Sequence, residues 1–296
     1  MARILDGRAA ASALTARLGE RVKALAATGL VPGLALLRVG EDPASASYVR
    51  SKERASRDLG IASSTLVLPS DIRKDTLLDE IHRLNADRSV HGILLQLPLP
   101  PHLPEDELLA EIDPAKDVDG FHPMNAGRLC LGLPGFVPAT PLGIVRLLQH
   151  YEIPTAGRRV VILGRSRIVG RPLASLLSLK GPEGDATVTL CHSRTRGLPE
   201  IARTAEILVA ALGRMQWVTA EMVAPGAVVI DVGIHSEPDP DRPGKRRVTG
   251  DVDFAAVEPI ASAISPVPGG VGLMTVACLI ENTVRAAEAA ARAAGN

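Results

Sequence analysis

The sequence predicts an α/β protein of two domains, each a parallel sheet covered by helices. Three observations carry that prediction. Strand-like and helix-like segments alternate from end to end, the pattern of βαβ units. The chain of 296 residues exceeds one average domain. A stretch rich in Pro, Gly and Asp, residues 98–141, separates two such alternating series.

In the first series, Leu14, Leu18, Val22 and Leu25 form one apolar stripe of a helix over 9–27, and Gly29 stops it. "LALLRVG" (34–40) follows as a buried strand. "PASASYVRSKERASRDLG" opens on Pro43 and closes on Gly60, as a helix should. "STLVLP" is the second strand, and Leu77, Leu78, Ile81 and Leu84 mark the next helix. "VHGILLQLPLP" is a third strand, ended by prolines. A domain boundary falls near Pro138 to Pro141. Beyond it, strands recur at 160–163, 187–191, 207–210 and 228–232, a Rossmann-like, doubly wound series. "HSEPDPDRPGKRR" (235–247) reads as an exposed polar loop. A last apolar helix over 275–291 follows "PVPGGVG" and closes back on the first domain. The expected domains are therefore 1–138, completed by 268–296, and 139–267.

Composition narrows the function. Aromatic residues make up only 2%, too few for the stacking platforms that bind single-stranded nucleic acid. The 33 basic and 33 acidic residues cancel, so no global field recruits nucleic acid or an anionic membrane. A small-molecule ligand fits better. The 3 cysteines are scattered without a C-x-x-C pair, and the histidines show no ligand spacing, so no metal is expected. "MARILDGRAA" lacks the apolar core of a signal peptide, and no apolar run reaches the roughly 20 residues of a membrane span. A cytoplasmic enzyme is expected.

"VVILGRSRIVGRPLASLL" (160–177) reads as strand, tight turn and helix. Gly164 can turn sharply, and Gly170 lets a helix start close to a ligand whose pyrophosphate would meet the first-turn amides. The G-x5-G spacing by itself also suits a plain strand-to-helix turn. The next strand, "TVTLCHSRT", ends in Ser193 and Arg194, where NAD-preferring folds place a carboxylate. With Arg165 on the neighbouring turn, two cations and a hydroxyl suit a 2′-phosphate, which points to NADP. The alternative is a solvated basic loop.

"SYVRSK" sets Tyr48 and Lys52 four apart on one helix face, where a ring could clamp a flat substrate while an amine moves protons. A surface lysine beside a half-buried tyrosine is the plainer reading of that pair alone. Gln96 sits at the carboxyl end of a strand, where α/β sheets present ligand contacts. Asp119 lies in the turn "DVDGFHP". Taken singly, each also reads as an ordinary strand-end or turn residue.

Together these stretches resemble the bifunctional methylenetetrahydrofolate dehydrogenase/methenyltetrahydrofolate cyclohydrolase (FolD) family. The resemblance runs through "ILDG", "VGEDPASASYVRSK", "GILLQLPLP", "DPAKDVDGFHPMNAGRL", "TPLG", "VVILGRSRIVGRP", "ATVTLCHS", "IDVGI", "GDVDF" and "PVPGGVGLMTVA", in the family's order over nearly the whole chain. It implies that Lys52 is the catalytic lysine, that Tyr48 is the ring beside the folate, that Gln96 sets the state of the lysine, and that Asp119 anchors the pterin. It further implies that Gly164, Arg165, Ser166, Ile168, Gly170, Ser193, Arg194 and Ile234 bind NADP, and that Pro268, Gly269, Gly270 and Leu273 border the substrate. The implied fold has two α/β domains, the first binding folate and the second NADP, and the implied assembly is a homodimer. The implied chemistry is oxidation of 5,10-methylenetetrahydrofolate, then hydrolysis of the methenyl product to 10-formyltetrahydrofolate. Leu273, Met215 and Ala139 depart from the family pattern, which usually has proline, proline and cysteine there. The alternatives are a dehydrogenase of the same family without the hydrolase step, another NADP oxidoreductase acting on a small acid, or a catalytically silent NADP-binding regulator.

Overall fold

A computed structural model of the chain describes residues 1–239, 242, 244 and 246–294. It divides into two compact units, Ser12–Ala139 with Val276–Asn296, and Met1–Ala11 with Thr140–Thr275.

The first of these units is built on a parallel sheet of β2 (Gly33–Val39), β3 (Ala62–Leu68) and β4 (Gly92–Leu95), in the order β3-β2-β4. The helices α2 (Pro43–Asp58) and α3 (Lys74–Ala86) make the crossovers that parallel strands require. Leu34, Ala35, Leu36 and Leu37 on the central strand are all but sealed from solvent. Leu77, Ile81 and Leu84 of α3 pack with Ala35, Leu37, Ile93 and Leu95, while Leu78 lies at the margin of that cluster. The stripe Leu14, Leu18, Val22 and Leu25 of α1 (Gly7–Ala27) is buried as its spacing predicts. Beside β4, Ile93 forms a parallel bridge with Asp117, and its amide donates to the Lys116 carbonyl at 2.8 Å. The loop carrying Asp119 thus starts from the sheet itself. The long helix α10 (Val271–Ala294) fixes that loop from the other side. Its fully buried Asn282 donates to the carbonyls of Val118 and Val137 at 2.8 and 2.9 Å.

The other unit holds a six-stranded, all-parallel sheet in the order β1-β11-β8-β7-β5-β6. Its strands are β1 (Arg3–Ile4), β5 (Arg159–Leu163), β6 (Thr187–Cys191), β7 (Ile207–Ala210), β8 (Val228–Asp231) and β11 (Ala263–Ile264). Counted from β5, the chain builds outward to β6 and then turns back past β5 to β7 and β8. The topological switch point therefore lies between the carboxyl ends of β5 and β7. The first unit makes the same reversal, between β2 and β4.

Several details differ from the sequence reading. The expected first domain includes residues 1–11, but β1 pairs with β11, so they belong with Thr140–Thr275. Residues 268–275 fall there too. The polar segment expected to be a loop contains an antiparallel hairpin, β9 (His235–Pro238) with β10 (Arg246–Thr249). Its ladder is backbone bonding beneath polar side chains such as the Glu237–Arg247 pair at 2.6 Å, so no apolar alternation announced it. Pro240, Asp241, Pro243 and Lys245 of that segment lie outside the described residues. The turn-rich stretch 98–141 also contains α4 (Glu105–Ala110), α5 (Pro123–Cys130) and the start of α6 (Ala139–His150).

Removing the Asn282 amide leaves a buried carbonyl, that of Val118, and a part-buried one, that of Val137, without their donor. Asn282→Ala is expected to lower unfolding stability by about 2–3 kcal/mol, the cost of unsatisfied buried acceptors. Urea denaturation measures it, and an unchanged midpoint would show that α10 does not hold the loop.

Candidate active site

The helix α2 begins at Pro43, whose missing N–H costs nothing in the first turn, and Asp42 caps it by accepting from the Ser45 amide at 2.7 Å. That start fixes the helix register. Tyr48 comes out 40% exposed and Lys52, one turn on, only 8% exposed. The Lys52 Nζ donates to Gln96 Oε1 at 3.0 Å. Gln96 follows β4 directly, and its own amide donates to the Leu37 carbonyl of β2 at 2.8 Å. The pair therefore stands at the switch point of its sheet. The Gln96 Nε2 donates to the Leu97 carbonyl at 2.7 Å, which turns the side-chain oxygen toward the lysine.

Burial pushes the Lys52 amine below the ordinary lysine range, and the Asp119 carboxylate pulls it back in part. Burial raises Asp119 in turn, against the pull of Lys52. A neutral glutamine beside the amine adds no charge to offset desolvation, so the amine holds its proton less tightly than an ordinary lysine. Burial also raises the Tyr48 hydroxyl, which keeps it protonated. The structure thus brings Lys52, Gln96 and Asp119 together, with Tyr48 on the adjoining turn.

Asp117 is a residue the sequence reading missed. It is 1% exposed and accepts from the Phe121 amide, the His122 amide and Asn125 Nδ2 at 3.1, 2.9 and 2.8 Å. Burial pushes it up to about 7, against these three donors. It stands in the same turn-forming run as Asp119, and spacing alone did not separate the carboxylate that ties down amides from the one beside Lys52. Gly120 completes the turn at φ +71°, where a Cβ would meet the Pro138 nitrogen at 2.7 Å. Only glycine fits there.

In the other unit, Gly164 leaves β5 at φ +120°, and a Cβ on it would lie 2.0 Å from the Ala211 carbonyl oxygen. Since Ala211 follows β7, the glycine loop sits at the switch point. Gly170 is pressed as closely against Gly164 and opens α7 (Gly170–Ser178), whose first turn has no side-chain cap. Ser166 Oγ accepts from the Val169 amide at 3.1 Å, shaping the loop. Arg165, Ser166 and Ile168 are exposed on it. Ser193 and Arg194 are exposed on the turn after β6, the neighbouring strand, where the Arg194 amide donates to the His192 ring at 3.2 Å. A tight glycine turn, uncapped helix amides and two flanking guanidiniums suit a phosphorylated dinucleotide.

Two further carboxylates organise the same sheet edge and were missed. Asp251 is fully buried and accepts from the amides of Gly213 and Arg214 at 3.0 and 2.9 Å and pairs with His235 at 2.8 Å. Asp231 accepts from the amides of Asp251 and Val252 at 2.9 and 3.0 Å, and burial pushes it up to about 6. The repeated D-V pattern of "IDVGI" and "GDVDF" was the available signal. Ile234, next to this pair, is 50% exposed. Pro268 is exposed, Gly269 adopts φ +106°, Gly270 is buried, and Leu273 is 39% exposed at the start of α10. Among the described residues, no cluster of His, Cys, Asp and Glu is arranged to hold a metal ion.

A doubly wound sheet with a dinucleotide-type loop, joined in one chain to a unit holding a buried lysine, points to a nucleotide-dependent oxidoreductase. Comparison with known proteins makes the class specific. The catalytic-domain model of the tetrahydrofolate dehydrogenase/cyclohydrolase family matches residues 5–119, and its NAD(P)-binding-domain model matches residues 138–291. The chain belongs to this family. It is 54% identical over 97% of its length, and 98% of the relative's, to the bifunctional protein FolD 1 of Myxococcus xanthus. It is 56% identical to the FolD protein of Treponema pallidum, covering 98% and 92% of the two chains. Its fold is similar to the crystal structure of the bifunctional FolD enzyme from Campylobacter jejuni, with a TM-score of 0.91 and 45% identity over 98% and 99% of the chains. The Trypanosoma brucei enzyme, solved with NADP cofactor and an inhibitor, superposes with a TM-score of 0.92 at 38% identity over 98% and 99%.

Asp117 gives the site a measurable pH signature. Its folded-state pKa of about 7 lies above the ordinary 3.8. The folded chain therefore keeps a proton that the unfolded chain releases, and this group costs stability as pH rises through that window. The stability of the wild type minus that of Asp117→Asn should fall between roughly pH 4 and 7 and level off above. A flat difference in urea unfolding across that range would contradict the assignment.

Proposed function

We propose that this chain oxidises 5,10-methylenetetrahydrofolate with NADP and hydrolyses the resulting methenyl cation to 10-formyltetrahydrofolate, with Lys52 as the proton-handling group. The observation that carries the reading is the buried Lys52 amine bonded to the neutral Gln96 oxygen, in a chain that matches both domain models of the family. The unit with Lys52 is assigned the folate, and the unit with the glycine loop the NADP.

In this reading Asp119 receives the pterin and Tyr48 lies against its plane. Pro268, Gly269, Gly270 and Leu273 border the substrate. Gly164, Arg165, Ser166, Ile168, Gly170, Ser193, Arg194 and Ile234 hold the dinucleotide, with Arg165 and Arg194 matched to its 2′-phosphate. NADP, when bound, supplies the acceptor for the hydride of the one-carbon bridge. The residues' part in that step is alignment. Hydration then asks more of the protein. Water must lose a proton as it adds to the methenyl carbon, and the ring nitrogen must gain one as its bond to that carbon opens. The remaining hydroxyl proton leaves to solvent as the formyl C=O forms. A neutral Lys52 can take the first proton and, as ammonium, give it to the nitrogen. Gln96 keeps the amine in place, where a carboxylate would favour the ammonium. A cytoplasmic homodimer belongs to the same reading and rests on the family resemblance.

Lys52→Met roughly keeps the length of the side chain and removes the proton site. Methenyl hydrolysis, followed by loss of the methenyl chromophore, should fall at least about 100-fold, the lower range for a positioned acid–base group. NADPH formation from methylenetetrahydrofolate should survive in part. Wild-type hydrolysis, corrected for the spontaneous reaction, would remove Lys52 from this role. Absence of both reactions in the wild type would overturn the proposed function itself.

A further inference from the structure

The unit that holds Lys52 also has a charged concavity away from that lysine. It encloses about 470 Å³, and four arginines, Arg21, Arg128, Arg285 and Arg292, line it with a single carboxylate, Glu288. Guanidiniums thus outnumber carboxylates four to one in its lining. Phe136, Pro114 and Pro134 give it apolar lining beside the charged groups. Two of the guanidiniums are held in position by the fold. Arg21 forks onto Glu288 through two bonds of 2.8 Å. Arg285 lies over the Phe136 ring at 5.7 Å and donates to the Gly135 carbonyl at 3.1 Å. Arg128 is packed so closely on Gly135 that a Cβ there would lie 3.2 Å from it. Neither Arg128 nor Arg292 donates a side-chain hydrogen bond among the described residues. Placing guanidiniums around one shared cavity costs repulsion that an incoming anion would relieve. Their planar donor forks match the oxygens of phosphate or carboxylate groups.

The cavity also connects to the loop of Asp119 by a short chain of bonds. Asn125, a lining residue only 1% exposed, donates from Nδ2 to the Pro114 carbonyl at 2.9 Å and to Asp117 at 2.8 Å. Its Oδ1 accepts from the Phe136 amide at 3.3 Å. Asp117 in turn holds the Phe121 and His122 amides on the far side of Asp119. An occupant pressing on Phe136 and Asn125 thus acts on the same hydrogen bonds that set the turn of Asp119.

We propose that this arginine cavity is a binding site for a small oxyanion of two or more negative charges, and that its occupancy tightens the loop presenting Asp119. Coupling of this kind is reciprocal, so substrate at Asp119 strengthens the anion and the anion strengthens substrate. Phosphate and carboxylate anions share the required chemistry. The test titrates the NADP-saturated protein, so that the dinucleotide loop is filled, with inorganic pyrophosphate and with citrate at constant ionic strength by calorimetry. At least one should bind saturably with Kd below about 1 mM, and which of the two binds more tightly identifies the chemistry. Arg128→Ala/Arg292→Ala should weaken that binding by roughly tenfold or more, and Arg292→Ala alone serves as the readout if the double variant does not fold. The bound anion should lower the KM for methylenetetrahydrofolate in the wild type and leave it unchanged in the variant. No saturable binding, or equal binding by the variant, would overturn the site. Binding with an unmoved KM would overturn the coupling. The calorimetric arm is independent of the proposed reaction, and only the KM arm rests on it.

Discussion

The proposed chemistry depends on one hydrogen bond, from a desolvated amine to an uncharged amide oxygen. Lys52 is removed from water by its place on the inner face of α2, and its nearest fixed partner is Gln96. Desolvation lowers the affinity of an amine for its proton, whereas a carboxylate partner would restore it. The Asp119 carboxylate opposes desolvation only in part. Around this balance the rest of the unit is arranged. Asp42 caps α2 and sets its register, the β2–β4 ladder delivers Gln96, and Asp117, Asn125 and Asn282 set the loop of Asp119. These residues, with no chemistry of their own, keep three side chains in register.

Both units solve the problem of presenting a ligand site in the same way. Each reverses its strand order, between β2 and β4 in one and between β5 and β7 in the other. The adjacent loops then diverge and leave room at the carboxyl ends of the strands. Gln96 occupies that position in one sheet and Gly164 in the other. The difference is in what fills it. One unit offers a side chain that can exchange a proton, and the other offers backbone amides and a glycine pressed against the Ala211 carbonyl. Buried carboxylates hold the neighbouring loops in both, Asp117 in the first and Asp231 with Asp251 in the second.

Much of this was legible in the sequence because helix and strand periodicities are local. The stripes of α1 and α3, the one-turn spacing of Tyr48 and Lys52, and the glycine loop after β5 all follow from neighbours along the chain. Gln96 could be placed because the end of an apolar run marks the end of a strand. Asp117, Asp251 and Asn282 could not be found in that way. Their partners are backbone groups brought from other segments, and a carboxylate that ties down amides carries no different letter from one that faces solvent. The hairpin of β9 and β10 escaped for a related reason, since its polar side chains hide a ladder made wholly by the backbone. The pairing of β1 with β11 joins two-residue strands at opposite ends of the chain, too short for any pattern to declare.

The central claim is that Lys52 holds its proton weakly because it is buried beside a neutral partner. The most direct test is to follow the ionisation of Lys52 itself by 13C NMR of the reductively methylated protein, with Lys52→Met used to assign its resonance. The account predicts a Lys52 pKa well below the ordinary 10.5 in the wild type, and a marked rise when Gln96→Glu puts a carboxylate in the same place. An ordinary lysine pKa in the wild type, or one that Gln96→Glu leaves unmoved, would contradict it.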